Sequence, residues 1–250
     1  VRVQALRALS SFNKPEIAPA IVAAWDNDDE YQRAALQAML SQPERVLVLI
    51  AALESGTIKP ADLDSNRRQQ LLTHRRRDIR ERAAAIFAAV PTVERQAIVA
   101  EYLAALKLTG DARRGQQLFH GKGTCAQCHR VGDLGHAVGP NLNGLTTKTP
   151  IMLLNDILDP NGAIDANFVN YSVTLTSGKT VTGIIAAESA NSLTLRRAEN
   201  QTDTISRADI EPDGLVNTRR SLMPEGIEKT LSPQEIADVI AYLQRWRELP

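Results

Sequence analysis

Two cysteines and a histidine stand close together near the middle of the chain. The stretch Cys125-Ala126-Gln127-Cys128-His129 separates two thiols by two residues and places an imidazole directly after the second. Thiols at this spacing can each add to one vinyl group of a single haem, and the histidine is then placed to ligate the iron. The sequence therefore predicts one covalently attached haem c, with Cys125 and Cys128 as tethers and His129 as the proximal ligand.

Two other chemistries also use closely spaced cysteines. A structural zinc site needs a second pair of ligands, and the chain has only 2 Cys in 250 residues, both in this stretch. A dithiol redox motif stands beside a βαβ pattern, and the sequence around Cys125 shows none. Both alternatives explain the stretch less well than haem attachment does.

An electron-transfer haem has two axial ligands, so a second ligand is expected elsewhere in the chain. The candidates are His74, His120, His136, Met39, Met152 and Met223. Most methionines fill gaps in cores, and Met39 and Met152 lie in predicted helices. Met223 lies instead in an irregular segment, residues 221–226, shortly before the last predicted helix. We predict Met223 as the distal ligand, with His136, in the loop after the haem motif, as its main competitor.

The first part of the chain predicts helices. Residues 1–108 are rich in Ala, Leu and Arg, with apolar residues at helical spacing. The prolines expected at helix starts are Pro15, Pro43, Pro60 and Pro91. Three similar stretches, residues 1–9, 31–39 and 79–87, predict a HEAT-like helical repeat domain, with a plain helical bundle as the alternative.

The composition changes after Leu108. Residues 109–111 signal a helix start, residues 112–119 and 150–158 predict short helices, and Ser232-Pro233 predicts the start of a last helix. Between about 167 and 212 the pattern alternates and predicts four short strands in a small antiparallel sheet. The sequence thus predicts two domains, residues 1–108 and 109–250, with the sheet inserted in the second.

Residues 109–250 resemble a class I cytochrome c. The shared features are a short helix with Gly115, the haem motif, the string Gly139-Pro140-Asn141-Leu142, a methionine loop and a closing helix with Tyr242. The resemblance implies that the Pro140 carbonyl accepts the ring N–H of His129. It also implies that Gly115 lets the first helix of the domain cross closely against the last one near Tyr242. The predicted fold is mainly α, a HEAT-like repeat domain followed by a cytochrome c domain with a β insertion.

Several strings in the second domain are similar to a narrower family, the C-terminal haem-binding module of PVC-type multidomain proteins. They are residues 157–160, 177–183, 192–195 and 221–226. In that family HEAT-like repeats precede the cytochrome, and a β-propeller dehydrogenase often precedes the repeats. The resemblance implies a fused or partner dehydrogenase as electron donor. No propeller is present in this chain, so its residues are assigned no dehydrogenase activity.

The net charge and the composition limit the classes of partner that we expect for this chain. The net charge is zero and the pI is about 7.1, so no nucleic-acid partner is expected, and no apolar run is long enough to span a bilayer. Covalent haem attachment normally happens outside the cytoplasm, which predicts a periplasmic or otherwise extracytoplasmic protein. The chain opens at Val1 inside a helical pattern, and we expect it to be a piece of a longer protein whose export signal is missing.

The sequence predicts a monohaem electron-transfer module without a catalytic residue of its own. Filled axial positions leave no vacant iron position for oxygen or peroxide. The two alternatives are a haem peroxidase-like enzyme, in which Met223 would be labile, and a haem-based sensory or scaffold module, in which the repeats would recruit a partner.

Overall fold

The computed structural model describes residues 2–9, 12–26, 28–88 and 95–249. It is about 53% helix and 18% strand, which confirms the mainly α expectation. The chain divides into two compact units. The first contains Val1–Pro91, Ser172–Thr182 and Arg207–Thr218, and the second contains Thr92–Tyr171, Gly183–Ser206 and Arg219–Pro250.

The first unit contains six of the described helices. They are α1 (Arg2–Leu9), α2 (Ile17–Ala23), α3 (Asp29–Leu40), α4 (Pro43–Glu54), α5 (Ser65–Leu72) and α6 (Arg77–Ala88). Their apolar faces form one core whose most buried members include Leu36, Met39, Leu49, Ile50, Leu71 and Ile79. Because each helix is too short to be stable alone, this shared burial is what holds the unit together. The HEAT-like repeat stays a prediction.

The prolines expected at helix starts have different outcomes. Pro43 occupies the first turn of α4, where its missing N–H costs no hydrogen bond. Pro60 begins a short 3-10 turn, Pro60–Asp62, rather than an α-helix. Pro15 lies in a turn just before α2, and Pro91 lies outside the described residues.

The second unit is built on four further helices. They are α7 (Arg95–Tyr102), α8 (Ala112–His120), α9 (Pro150–Leu158) and α10 (Pro233–Arg245). The predicted helix starts are confirmed, because Asp111 caps α8 and Ser232 caps α10 in a reciprocal capping box with Glu235. No helix of the described part of the chain is long and apolar enough to cross a membrane.

Helices α8 and α10 cross with almost no space between them. A Cβ atom at Gly115 would lie 2.0 Å from the Asp238 carbonyl oxygen and 2.9 Å from the Tyr242 Cβ. Beside this crossing the rings of Phe119 and Tyr242 pack edge to face, with centroids 5.4 Å apart. The close crossing near Tyr242 that the resemblance implied is confirmed.

Asp238 joins the two crossing helices through its carboxylate. The side chain is fully buried and accepts hydrogen bonds from the Asp111 N–H at 2.8 Å, from Arg114 at 2.7 Å and from Gln234 at 3.1 Å. Burial alone raises the Asp238 pKa, but the bonds from Arg114, the Asp111 N–H and Gln234 bring it below the usual 3.8. The ionised form of Asp238 therefore stabilises the folded protein.

The lowered Asp238 pKa predicts the pH dependence of an Asp238→Asn variant. The carboxylate contributes stability above its unfolded pKa and loses it as the pH falls through the folded value. We expect Asp238→Asn to lower the free energy of unfolding near neutral pH. The difference from the wild type should shrink between about pH 5 and pH 2. Urea unfolding across this range measures it, and a difference that stays constant with pH would contradict the assignment.

The described part of the chain also contains two sheets. The small one pairs β1 (Arg130–Val131) with β2 (Leu134–Gly135), directly after the haem motif. The larger sheet contains β3 (Val169–Leu175), β4 (Thr180–Glu188), β5 (Ser192–Arg196), β6 (Thr202–Ser206) and β7 (Ile210–Ser221), in the order β6-β5-β4-β3-β7. The four strands expected between about 167 and 212 are confirmed.

The fifth strand, β7, differs from the sequence expectation. It continues to Ser221, past the expected end of the sheet at about residue 212. Its start contains Pro212, Asp213 and Gly214, which are typical of a turn. Asp213 adopts a left-handed φ of 58°, and Gly214 lies so close to the Thr174 carbonyl oxygen that a Cβ would be 2.6 Å from it. The irregular start hides the strand from pattern analysis.

Candidate functional site

The two cysteines and the histidine share one turn of backbone. A short 3-10 segment, Cys125–Gln127, follows α8, and the N–H groups of Cys128 and His129 both donate to the Cys125 carbonyl, at 3.1 and 2.9 Å. Residues three and four apart on such a turn project to the same side. The turn therefore presents both thiols and the imidazole together.

The His129 ring is oriented by a backbone carbonyl. Its Nδ1 lies 2.9 Å from the Pro140 oxygen, which can only accept a hydrogen bond, so Nδ1 carries the proton. Burial lowers the His129 pKa from 6.5, although the bond to Pro140 opposes the shift. The imidazole is therefore neutral near pH 7, and Nε2 keeps the lone pair that a metal ligand needs.

Gly139 provides the surface against which the ring packs. A Cβ atom at this position would lie 2.7 Å from Cε1 of His129 and 3.0 Å from Nδ1, so no larger residue fits without displacing the ring. The Gly139 and Val138 N–H groups both donate to the Cys128 carbonyl, at 2.7 and 3.0 Å. This loop thus holds the histidine in one orientation.

Both thiols are free, half-buried and poorly solvated. Burial raises the pKa of Cys125 to about 12 and that of Cys128 to about 11. Catalytic dithiols depend on a lowered pKa that yields a thiolate, so the raised values disfavour the dithiol redox alternative. Among the described residues, no three His, Cys, Asp or Glu side chains come together as ligands of a metal ion.

The turn between β5 and β6 lies against the haem motif. Arg196 donates to the Ala137 carbonyl at 2.8 Å, and the charge of Glu199 adds to the raised pKa of Cys128. Glu199 and Asn200 both adopt left-handed backbone conformations, with φ of 60° and 55°. The sequence does not indicate this neighbour, because no local pattern connects residue 199 with residue 128.

Met223 lies in the loop between β7 and α10 and is half-buried. Its N–H donates to the Ser221 hydroxyl at 3.1 Å, and the Ser221 N–H donates in turn to Oδ1 of Asn161 at 2.9 Å. Gly226, with a left-handed φ of 97°, ends the irregular segment. The structure thus places Met223 on an ordered loop of the second unit, and its role as a ligand stays a prediction.

The other ligand candidates have different surroundings. Met39 is fully buried in the core of the first unit, and His74 lies in the same unit. Met152 is 49% exposed on α9, and His120 is exposed at the end of α8, edge-on to Phe119. His136 is half-buried in the loop after the motif, and its N–H donates to the Ala126 carbonyl at 3.0 Å.

The family comparison matches this part of the chain. Residues 112–182 match the protein-family model for cytochrome c. The matched segment begins with α8, contains Cys125, Cys128, His129 and Pro140, and ends in β4, so Met223 lies beyond it. No curated protein matches the chain. The match supports a class I cytochrome c domain with covalently attached haem c.

The residues of the cytochrome c domain fit this cofactor. Haem c needs two free thiols within one turn, and Cys125 and Cys128 provide them. It also needs a neutral imidazole, and His129, with Nδ1 bound to the Pro140 oxygen, keeps Nε2 for the iron. The donor set is therefore the one that a c-type haem requires.

Proposed function

We propose that the chain is a monohaem c-type cytochrome module that accepts single electrons from a dehydrogenase and passes them to a downstream acceptor. The observation that carries the proposal is the bond from His129 to Pro140 beside two free cysteines, within the segment that matches cytochrome c. When bound, the haem supplies a reversible one-electron iron couple.

Each residue of the motif has its own role in binding the haem. Cys125 and Cys128 tether it as thioethers, and His129 ligates through Nε2. The Pro140 carbonyl holds the Nδ1 proton, which fixes the tautomer and raises the basicity of the ligand. Gly139 lets the ring lie directly against the backbone, because a Cβ at this position would come within 2.7 Å of Cε1 of His129.

Met223 is proposed as the second ligand. Its support is a half-buried position on an irregular loop whose backbone is held by hydrogen bonds. A neutral thioether raises the reduction potential relative to a second histidine. With both axial positions filled, oxygen and peroxide have no open position, which favours electron transfer over a peroxidase reaction.

Spectroscopy of two variants tests the ligand assignment. We expect the ferric wild type to show the weak near-infrared band of a bond from methionine sulfur to low-spin iron. Met223→Ala should abolish this band, and His136→Ala should leave it intact. If His136→Ala abolishes the band and Met223→Ala does not, the assignment is wrong.

The wider setting rests on the resemblance to PVC-type multidomain proteins. We propose that α1–α6 form the HEAT-like repeats that precede the cytochrome in that family, and that a fused or partner dehydrogenase is the electron donor. Covalent haem attachment favours a periplasmic or otherwise extracytoplasmic location. Mixing the ferric protein with such a dehydrogenase and its substrate should reduce the haem within the turnover time of the enzyme.

A further inference from the structure

Hydrogen bonds and an ion pair fix the loop that contains Met223 near both of its ends. We call residues 221–228 the Met loop. Asn161, in the turn after α9, accepts from the Ser221 N–H through Oδ1 at 2.9 Å, and its Nδ2 donates to the Glu225 carboxylate. Because one side faces an N–H and the other a carboxylate, only one orientation of the amide satisfies both. Asn161 therefore bridges the start and the middle of the loop.

Arg95 holds the other end. Its guanidinium binds Glu228 through two parallel bonds of 2.8 and 2.9 Å, and the side chains are only 15% and 11% exposed. The same guanidinium donates to the Leu158 carbonyl at 2.8 Å. Tyr102, the last residue of α7, donates to the Glu228 carbonyl at 3.0 Å. A bidentate pair this poorly exposed is among the stronger polar contacts in proteins.

The contacts of Arg95 and Asn161 both involve the C-terminal end of α9. Arg95 bonds to the carbonyl of Leu158, and Asn161 lies three residues after Leu158. Leu158 is fully buried in the core of the second unit, so this end of α9 is a rigid support. Arg95 precedes the segment that matches cytochrome c, and it lies within residues 1–108, for which the sequence predicts a helical repeat domain. Helix α7 thus contributes directly to the loop of the proposed iron ligand.

We propose that Asn161 and Arg95 are positioning residues that hold the Met loop closed and thereby set how tightly Met223 binds the iron. The inference rests on the proposed function, in which Met223 is the distal ligand. An added ligand such as imidazole can bind the iron only after Met223 leaves. The cost of opening the loop includes the bonds to Asn161 and Arg95, so losing them raises the apparent affinity for imidazole.

The experiment is a titration of the ferric holoprotein with imidazole at a temperature well below unfolding. It is followed through the visible haem absorption, so that variants without the near-infrared band can also be titrated. We expect Arg95→Gln and Asn161→Ala each to raise the apparent affinity by about tenfold, as the loss of one charge-assisted or buried hydrogen bond predicts. Arg95→Lys, which keeps the charge and part of the bonding, should show a smaller rise.

The matched control is Lys148→Gln. Lys148 pairs with Asp156 on α9 at 2.6 Å, so this variant also removes one cation and one ion pair in the second unit, but neither Lys148 nor Asp156 bonds to the Met loop. Its imidazole affinity should equal that of the wild type. In a Met223→Ala background, Arg95→Gln should change nothing, because no sulfur remains to be displaced.

The outcomes separate the two proposals. A wild-type band with unchanged imidazole affinity in Arg95→Gln and Asn161→Ala overturns the positioning role, even if both variants unfold at lower denaturant. An equal rise in the Met223→Ala background also overturns it. A wild type without the band overturns the ligand assignment and the positioning role together. If Arg95→Gln does not fold, Asn161→Ala alone decides.

Discussion

A protein in which Cys125 and Cys128 are both serine is expected to carry no covalently bound haem. A serine hydroxyl does not add to a vinyl group under the conditions in which a thiol does, so both thioethers are lost. His129 and its bond to Pro140 stay in place, and any pigment that remains is held only by coordination and packing. Acidified acetone should then extract all of it, and the polypeptide mass should fall by one haem.

The single variants and Met223→Ala are the controls for this prediction. Cys125→Ser and Cys128→Ser each keep one thiol, so each should retain haem that acid does not extract, in lower yield. Met223→Ala should retain its full covalent haem, because the methionine takes no part in the tether. Acid-resistant pigment in the double variant would contradict the whole interpretation of the motif.

The sequence predicted the parts of this site that are local. The haem motif occupies five consecutive residues, and the caps of α8 and α10 depend on Asp111, Ser232 and Glu235 within a few residues of the helix starts. Such signals need no knowledge of the fold. The approach of His129 to Pro140, eleven residues away, came from the resemblance to class I cytochromes and not from spacing.

The parts that the sequence did not predict are non-local. Arg95 and Glu228 are 133 residues apart in the chain, and nothing in the sequence near either residue indicates the other. Asn161 lies three residues beyond the predicted helix 150–158, and nothing in the sequence around it indicates that its amide bonds to the Met loop. The approach of Glu199 to Cys128 likewise depends on how β5 and β6 pair. These contacts arise from packing, which local propensity does not encode.

The crossing of α8 and α10 explains why Gly115→Ala should be one of the most damaging substitutions in the second unit. In an ordinary helix interior, alanine is more favourable than glycine by about 0.5–1 kcal/mol. Here the new Cβ would lie 2.0 Å from the Asp238 carbonyl oxygen, and a backbone atom on a buried helix cannot rotate away. The helices must separate, which also disturbs the contact between Phe119 and Tyr242 and the bond from Arg114 to Asp238.

We expect Gly115→Ala to lower the free energy of unfolding by about 3 kcal/mol, the upper part of the range for overpacked cores. Urea unfolding of the holoprotein, followed by helical circular dichroism, measures the loss. The matched control is Gly144→Ala, since Gly144 has an ordinary φ of −86° and a Cβ there meets nothing within 4 Å. Gly144→Ala should change stability by less than about 1 kcal/mol. Equal stability of the two variants would mean that the helices do not cross at Gly115, and the support that this crossing gives to a cytochrome c fold would be lost.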